Sequence, residues 1–421
     1  MSKVKNIGLA KEGEKEIRWA RENMPILSTI RDEFKKEKPF EGLRIGVTLH
    51  LEKKTAVLLE ALIAGGASVT ASSCNPLTTD DKVAAALSSK MEIYAWAGES
   101  NNDYYWCMNK VIESRPDIVI DDGCDLILAL HKRGKKVIGG CEETTTGVIR
   151  LKAMSGDGKL LFPVFAVNNA YSKYLFDNRF GTGQSTVDAI MRVTNKLIAG
   201  KTVVVVGYGW CGRGIANRMR GMGANVVVVE TATASGERES GYHRALEALY
   251  DGYRVMGIGE ASRIGDIFVT ATGNKHAIGK NHFKHMKDKA ILANAGHFNV
   301  EIDVPSLKGM SRRAEDVKDN LTLYEQKDGR KLYLLSEGRL VNLARPSGQG
   351  HPIEIMDGSF GLQALCVRHL AEHRNLKTGV YDVPKGIDDR VARLALESQG
   401  IRLEKQTKEQ ERYSSSWDEG T

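Results

Sequence analysis

Residues 201–230, KTVVVVGYGWCGRGIANRMRGMGANVVVVE, restrict the fold more than any other stretch of the chain. The valines at 203–206 read as a strand buried on both faces. The run breaks into Gly207, Gly209 and Gly212, and Gly214 lies inside the helix that follows. A strand, a glycine turn, a helix and a second strand require a right-handed crossover between parallel strands. In such a unit Gly207 permits the tight turn, Gly209 lets backbone approach a pyrophosphate, and Gly212 allows the helix to pack closely. The helix N-terminus then faces the phosphate charge. Glu230 closes the second strand at the offset where a carboxylate accepts from both ribose hydroxyls and repels a 2′-phosphate. A doubly wound domain with an empty turn is the bland alternative. Agreement of both strands, the helix and the acidic residue favours a bound dinucleotide, NAD rather than NADP.

The same alternation extends beyond this unit. LRIGVTL (43–49), ASVTASS (67–73), DIVIDDG (117–123), KKVIGG (135–140) and FPVFAV (162–167) are expected strands of one sheet. TVVVVG (202–207), NVVVVE (225–230), YRVMGI (253–258), DIFVTATG (266–273) and AILANAG (290–296) form a second set. At 421 residues the chain exceeds one ordinary core. The expected class is therefore α/β, with two doubly wound parallel-sheet domains and a small helical C-terminal extension. Glycines in FDNRFGTGQS (176–185) mark the expected join ahead of a helix in TVDAIMRVTNKLIAG (186–200). The amphipathic, charged stretch at 388–413 is expected to be helical and to pack on something else, such as a neighbouring subunit.

Composition narrows the function classes. Net charge is +7 with acids and bases interspersed, which favours small anionic ligands over a polyanion, so no nucleic-acid partner is expected. No apolar stretch approaches 18 residues, and the N-terminus lacks a signal-peptide core, so a cytoplasmic chain without a membrane partner is expected. The six cysteines fall in no CxxC pair, which predicts reduced thiols. His369 and His373, four apart on an expected helix, have no accompanying third ligand, so no metal site is expected.

Polar clusters follow most of the expected strands, where open α/β sheets place their ligand crevices. The motifs EETTTGV (142–148), FDNRFGTGQS, GYGWCGRG (207–214), AGHFNVEID (295–303) and EGRLVNL (337–343) together resemble the S-adenosyl-L-homocysteine hydrolase family from about residue 16 onward. The resemblance implies a substrate-binding domain of residues 1–180 and 343–380, interrupted by an NAD-binding domain of residues 181–342. A tail of residues 381–421 would reach a partner subunit in a homotetramer. It implies a hydrolysis carried by redox chemistry, in which the ribose 3′-hydroxyl is oxidised and C4′–H becomes acidic. Homocysteine is then eliminated, water adds, and the ketone is reduced again.

By the same resemblance, Lys173 and Asp177 flank the 3′-hydroxyl, the lysine acting as base with a lowered pKa. Asp122 is the C4′ base beside His297, and His50 is the acid/base at C5′. Glu143 holds the ribose hydroxyls, Asn168 and Asn178 support the nicotinamide, and His351 gates the substrate entrance. Thr144, Thr145 and Thr146 touch NAD, with Trp210, Cys211, Asn294 and Gly296 in the same cofactor-binding set. Thr272 and Gly273 lie over the adenosine half, Asn342 contacts the nicotinamide amide, and Tyr413 closes over a neighbour's cofactor. The partner lysine's position holds Glu409, with Lys408 one residue before it.

The chain also departs from the family pattern. HLEKKT (50–55) sets Glu52 and Lys54, beside Thr55, where many members read the adenine edge. Lysine only donates and an ionised glutamate only accepts. Glu52 to N1–H with Lys54 to O6 suits hypoxanthine, while Glu52 to the adenine amino group suits adenine. A plain ion pair at the pocket rim is the third reading. Thr182, Cys124 and the stretch TATASGERESGYHR (231–244) also depart from the family's usual residues. Two alternatives from other classes stay open: a dehydrogenase that exports its hydride, and a non-catalytic NAD-binding regulator.

Overall fold

The computed structural model describes residues 2–232 and 239–418. Short apolar runs become strands, and amphipathic stretches between them become crossover helices, because parallel neighbours cannot be joined by tight turns. The strands are β1 (Lys3–Val4), β2 (Arg44–Leu49), β3 (Ser68–Ser73), β4 (Glu92–Ala95), β5 (Ile118–Asp121), β6 (Gly139–Glu142), β7 (Val164–Ala166), β8 (Thr202–Val206), β9 (Asn225–Val229), β10 (Arg254–Val255), β11 (Ile267–Thr270), β12 (Ala290–Asn294), β13 (Ser311–Lys318), β14 (Leu321–Gln326), β15 (Lys331–Leu335) and β16 (Val380–Asp382). The helices that bear on the site are α1 (Lys53–Ala64), α2 (Asp125–Lys132), α3 (Thr145–Gly156), α4 (Thr182–Thr194), α5 (Trp210–Gly221), α6 (Gly241–Tyr250), α7 (Ile353–Glu372), α8 (Lys385–Ser398) and α9 (Lys408–Ser415).

Two sheets result, ordered β1-β4-β3-β2-β5-β6-β7-β16 and β10-β9-β8-β11-β12-β15-β14-β13. Every pairing in the first is parallel. In the second, β14 and β13 run antiparallel to their neighbours, an edge the alternation did not announce. The chain reverses its direction of travel beside β2 in the first sheet and beside β8 in the second. Each reversal opens a crevice at the carboxyl ends of the central strands. Strand β16 returns to the first sheet from the far end of the chain and pairs with β7. Apolar clusters fill the space between sheet and helices in both halves. Among the described residues no helix is long and apolar enough to cross a membrane.

Two stretches differ in local conformation from expectation. The join at 176–185 is no glycine-broken loop: a π-helical stretch, Tyr174–Gly181, runs directly into α4. Its glycines serve close packing, since a Cβ on Gly183 would lie 2.6 Å from the Gly214 carbonyl carbon on α5. The C-terminal stretch is not one helix, because residues 399–407 separate α8 from α9.

Candidate active site

The first crevice collects side chains from strand ends that are neighbours in register. His50 follows β2, and Asp122 and Glu143 follow β5 and β6, where Asp121 and Glu142 are paired. Those two carboxylates shape the turn: Asp121 accepts from the amides of Asp122 and Ile127, and Glu142 from those of Gly123 and Thr144. Gly123 takes φ +99°, and a Cβ there would sit 2.2 Å from His297 Nε2. A glycine at this turn thus lets the loop after β12 of the second sheet reach the first crevice. His297 Nδ1 lies 3.4 Å from Asp122 Oδ1, and His50 Nε2 lies 3.5 Å from Asp122 Oδ2.

Lys173 enters from the π-helical segment. Its Nζ donates to Asn178 Oδ1 at 2.7 Å and lies 3.4 Å from Asp177 Oδ2 and 3.5 Å from Glu143 Oε1. The wider π turn brings residues four and five along the chain to one ammonium. Asn178 Nδ2 donates to Asn168 at 3.1 Å. Asp177 also accepts from Ser359 at 2.6 Å and pairs with His351 Nδ1, while Gln363 donates to Glu143 at 2.5 Å. His351 is therefore clasped by Asp177 and faces Thr182 at 3.3 Å.

Burial and charge tune these groups in opposite senses. Burial disfavours the Lys173 ammonium, but Asp177 and Glu143 outweigh it and hold its pKa above the ordinary lysine value. The lowered lysine pKa implied by the resemblance is thus not a property of this arrangement, because two carboxylates flank the ammonium. Burial pushes Glu143 up to about 8 against the pull of Lys173. Asp177, despite burial, is held below the usual carboxylate range by Lys173 and His351. Burial raises Asp122 and lowers His297. Burial takes His50 down to about 3, so its imidazole is neutral at ordinary pH. Thr78 accepts from or donates to His50 Nδ1 at 2.8 Å, and Thr78 Oγ1 also donates to the Asn75 carbonyl at 3.1 Å. That bond favours the tautomer with the proton on Nδ1, which leaves the Nε2 lone pair toward Asp122.

Glu52 and Lys54 are not at a rim. Both are buried at the start of α1 with Nζ 3.1 Å from Oε2, and Lys54 also donates to the Gln349 carbonyl at 3.0 Å. Thr55 donates to the His50 carbonyl at 2.6 Å and fixes the turn between them.

The second crevice is made mainly of backbone. Gly207 has φ +97°, and a Cβ on Gly212 would lie 1.9 Å from the Gly207 carbonyl oxygen, whereas one on Gly209 would meet nothing within 4 Å. Cys211 Sγ donates to Thr182 Oγ1 at 3.6 Å, and Trp210 packs on Tyr174 with ring centroids 5.0 Å apart. The Thr272 and Gly273 amides donate to Glu301 at 2.9 and 2.8 Å, and Asn294 ties Gly296, Phe298 and Gly338 together. A Cβ on Gly296 would sit 1.7 Å from Glu301 Oε1. Asn342 donates to Ser185 at 3.1 Å, and its buried Oδ1 has no partner. These features fit a dinucleotide: an open, glycine-walled turn for the pyrophosphate and a buried acceptor for an amide N–H.

Glu230 is less free than the sequence suggests. Its carboxylate accepts from the Tyr208 amide at 2.6 Å and from Arg244 Nε of α6 at 2.9 Å. Arg244 partly neutralises the charge that would reject a 2′-phosphate. The nearby stretch at 233–238 lies outside the described residues. Thr144 caps α3 and donates to Glu142, Thr145 is exposed, and Thr146 is half-buried. Tyr413 on α9 is 60% exposed and is not brought to either crevice of this chain.

Sequence reasoning did not single out Ser359, Gln363, Thr78, Cys74 or Glu301. Ser359 and Gln363 stand four apart on α7 within an otherwise apolar SFGLQALCV, and that pairing of polar residues on a buried helix was their signal.

A family model described as S-adenosyl-L-homocysteine hydrolase matches residues 1–137, and one described as its NAD binding domain matches residues 178–348. The chain is 54% identical to S-inosyl-L-homocysteine hydrolase of Methanopyrus kandleri over 99% of its own length and 98% of that protein. It is 52% identical to the protein of that name from Methanocaldococcus jannaschii over the full length of both. It is also 54% identical to adenosylhomocysteinase of Pyrococcus abyssi, over 99% of this chain and 98% of that one.

Proposed function

This chain belongs to the S-adenosyl-L-homocysteine hydrolase family, and from that premise we propose that it reversibly hydrolyses S-adenosyl-L-homocysteine to adenosine and L-homocysteine with resident NAD. The observation that carries the reading is Glu143 Oε1, buried without a hydrogen bond, 3.5 Å from the Lys173 ammonium and on the same cleft as Asp122 and His50. A ribose hydroxyl satisfies that acceptor. Gly207, Gly209, Gly212, Glu230, Thr272, Gly273 and Asn342 would hold the dinucleotide, which supplies reversible acceptance of the C3′ hydride and thereby acidifies C4′–H.

The residues then divide the proton work. Glu143 ionises to accept the ribose hydroxyl. Lys173 is the base for the 3′-hydroxyl: its ammonium gives up one proton to solvent and the free amine takes that of the hydroxyl, against the pull of the two flanking carboxylates. Asp177 and Asn178 hold the ammonium in position. Asp122 accepts the C4′ proton, and its burial makes it a stronger base than an exposed aspartate. The thiolate departs unprotonated; neutral His50 then takes a proton from the attacking water through Nε2 and hands it to the thiolate, which returns the imidazole to its resting form.

Purified holoenzyme should release thiol from the nucleosyl thioether while its bound NAD stays constant. NADH accumulating with turnover would instead support the dehydrogenase reading. No thiol release would support the regulator.

A second reading is S-inosyl-L-homocysteine hydrolysis by the same steps. It is supported by the buried Glu52–Lys54 pair, whose acceptor and donor match N1–H and O6 of hypoxanthine, and by the relatives that carry that name. Comparing kcat/KM for the two thioethers decides between the bases.

We assign residues 1–180 and 343–380 to the substrate-binding domain, 181–342 to the NAD-binding domain and 381–421 to a tail that caps a neighbour's NAD site in a cytoplasmic homotetramer. Support for the tail's role is its exposure: Leu403 is 76%, Tyr413 60% and Trp417 96% exposed. Light scattering of full-length protein and of protein ending at residue 402, which keeps β16 and α8 with its core residue Val391, tests the assembly.

A further inference from the structure

We propose that His50, Cys74 and Asp122 form a binding site for a thiophilic divalent cation such as Zn²⁺, and that occupancy blocks the substrate cleft. The inference rests on the reading of this cleft as the substrate site. Ligand atoms of these three side chains all lie within 4.8 Å of one another. The residues come from the ends of β2, β3 and β5, which are adjacent in the first sheet, so no sequence spacing signals them.

Three features fit a metal. Imidazole, thiolate and carboxylate make a donor set suited to tetrahedral Zn²⁺ with one position left open. His50 Nε2 stands 3.5 Å from Asp122 Oδ2. That is long for a hydrogen bond, yet close to the ligand–ligand edge of about 3.4 Å that Zn–N and Zn–O bonds of about 2.1 Å give in a tetrahedron. Asp122 Oδ1 is buried and makes no hydrogen bond, His297 Nδ1 standing 3.4 Å away, so the carboxylate is not committed to another donor. The outer residues suit the ligands too. Thr78 occupies His50 Nδ1 and leaves Nε2 for the cation. Cys74 is a free, buried thiol. Binding replaces its S–H by an S–metal bond and releases one proton to solvent, a balance that needs no oxidant or reductant. Lys173 opposes a nearby cation, but Glu143 and Asp177 flank it and offset its charge.

The cation claims the same His50 and Asp122 that the reaction uses, so metal and substrate exclude each other. The open coordination position would accept water, or the thiolate of homocysteine once the nucleoside has left.

The test is titration of the holoenzyme with Co²⁺ alone, read by absorption. One equivalent should bind with a near-ultraviolet thiolate-to-cobalt band and tetrahedral d–d bands, and Zn²⁺ should displace it. Cys74→Ala should remove the charge-transfer band and weaken Co²⁺ by roughly 100-fold or more, beyond what an outer-shell partner is worth. In unmutated enzyme, adenosine or inosine at saturation should prevent Co²⁺ uptake, and Zn²⁺ should raise KM without lowering kcat, reversed by a chelator. The spectra report the metal whether or not the protein turns over, so failure of the functional reading is seen separately as absent thiol release. A band that persists in Cys74→Ala, cobalt bound without a thiolate band, or uptake unaffected by nucleoside would each overturn the proposal.

Discussion

Both crevices open where a parallel sheet reverses direction, yet they are built from different materials. Beside β8 the walls are backbone: a glycine turn, two amides turned onto Glu301, and Asn294 stitching three carbonyls. Beside β2 they are ionisable side chains, with Lys173, Glu143, Asp177 and Asp122 buried and His50 and His297 half-buried. Backbone walls bind a constant ligand through shape and dipoles, and nothing there need change charge. Side-chain walls hold protons at raised or lowered affinity, which is what a multistep proton sequence requires. The comparison teaches that one topology supplies two positions for ligands, while the residues at the strand ends decide whether a position binds or reacts.

If that division holds, variants of the two crevices should fail in different ways. The largest effect is expected for Lys173→Met, which should lower kcat by roughly 10³-fold, within the range for loss of a positioned acid/base group, while NAD content after gel filtration is unchanged. Loss of NAD from this variant would break the comparison.

Glu143→Gln should lower kcat/KM by roughly 100-fold and alter its pH profile. Glu143 is raised to about 8 and must ionise to accept the ribose hydroxyl, so unmutated activity should rise with pH through that region. The isosteric amide should remove that limb, which belongs to the coupled Glu143–Lys173–Asp177 group rather than to one residue.

Gly212→Ala tests the other crevice. Its Cβ would meet the Gly207 carbonyl at 1.9 Å, and the displacement should weaken NAD by roughly 10- to 100-fold and destabilise the fold by about 1–3 kcal/mol. Fluorescence titration with NAD and thermal unfolding give both numbers. Added NAD should restore kcat, which it cannot do for Lys173→Met.

The smallest effect is expected for Lys54→Met. Loss of the donor should change the ratio of kcat/KM for inosyl and adenosyl thioethers by roughly tenfold, leaving NAD affinity alone. An unchanged ratio would remove Lys54 from base recognition.

The same contrast explains what could be read in advance. Strands β2, β3, β5, β8, β9, β11 and β12 and the glycine turn were legible because backbone requirements leave a local mark: valine runs, glycines at fixed offsets, Glu230 at the second strand's end. The hairpin strands β13 to β15 were not, since SRRAEDVK alternates poorly and is largely exposed. Nor did spacing reveal the reactive cluster. Lys173 and Asp177 alone resemble a surface ion pair, and their depth follows from α7 covering them, with Ser359 and Gln363 contributed from residues far along the chain. The resemblance named most of the cluster. It misjudged the sign of the Lys173 shift, because that sign depends on two flanking carboxylates whose distances no motif states. Arg244 on Glu230 escaped for the same reason, being a contact between elements rather than a spacing within one.

The most direct measurement follows hydrogen at C4′ of the nucleoside. Turnover of unlabelled S-nucleosyl-L-homocysteine by the holoenzyme in D₂O should place deuterium at C4′ of the released nucleoside, since in the proposed mechanism Asp122 removes that proton before the thiolate departs and solvent hydrogen enters the site before it returns. A product with only protium at C4′, formed with no primary isotope effect on the 4′-deuterated substrate, would mean that water displaces the thioether directly, and the account of this cleft as a relay of acids and bases would be wrong.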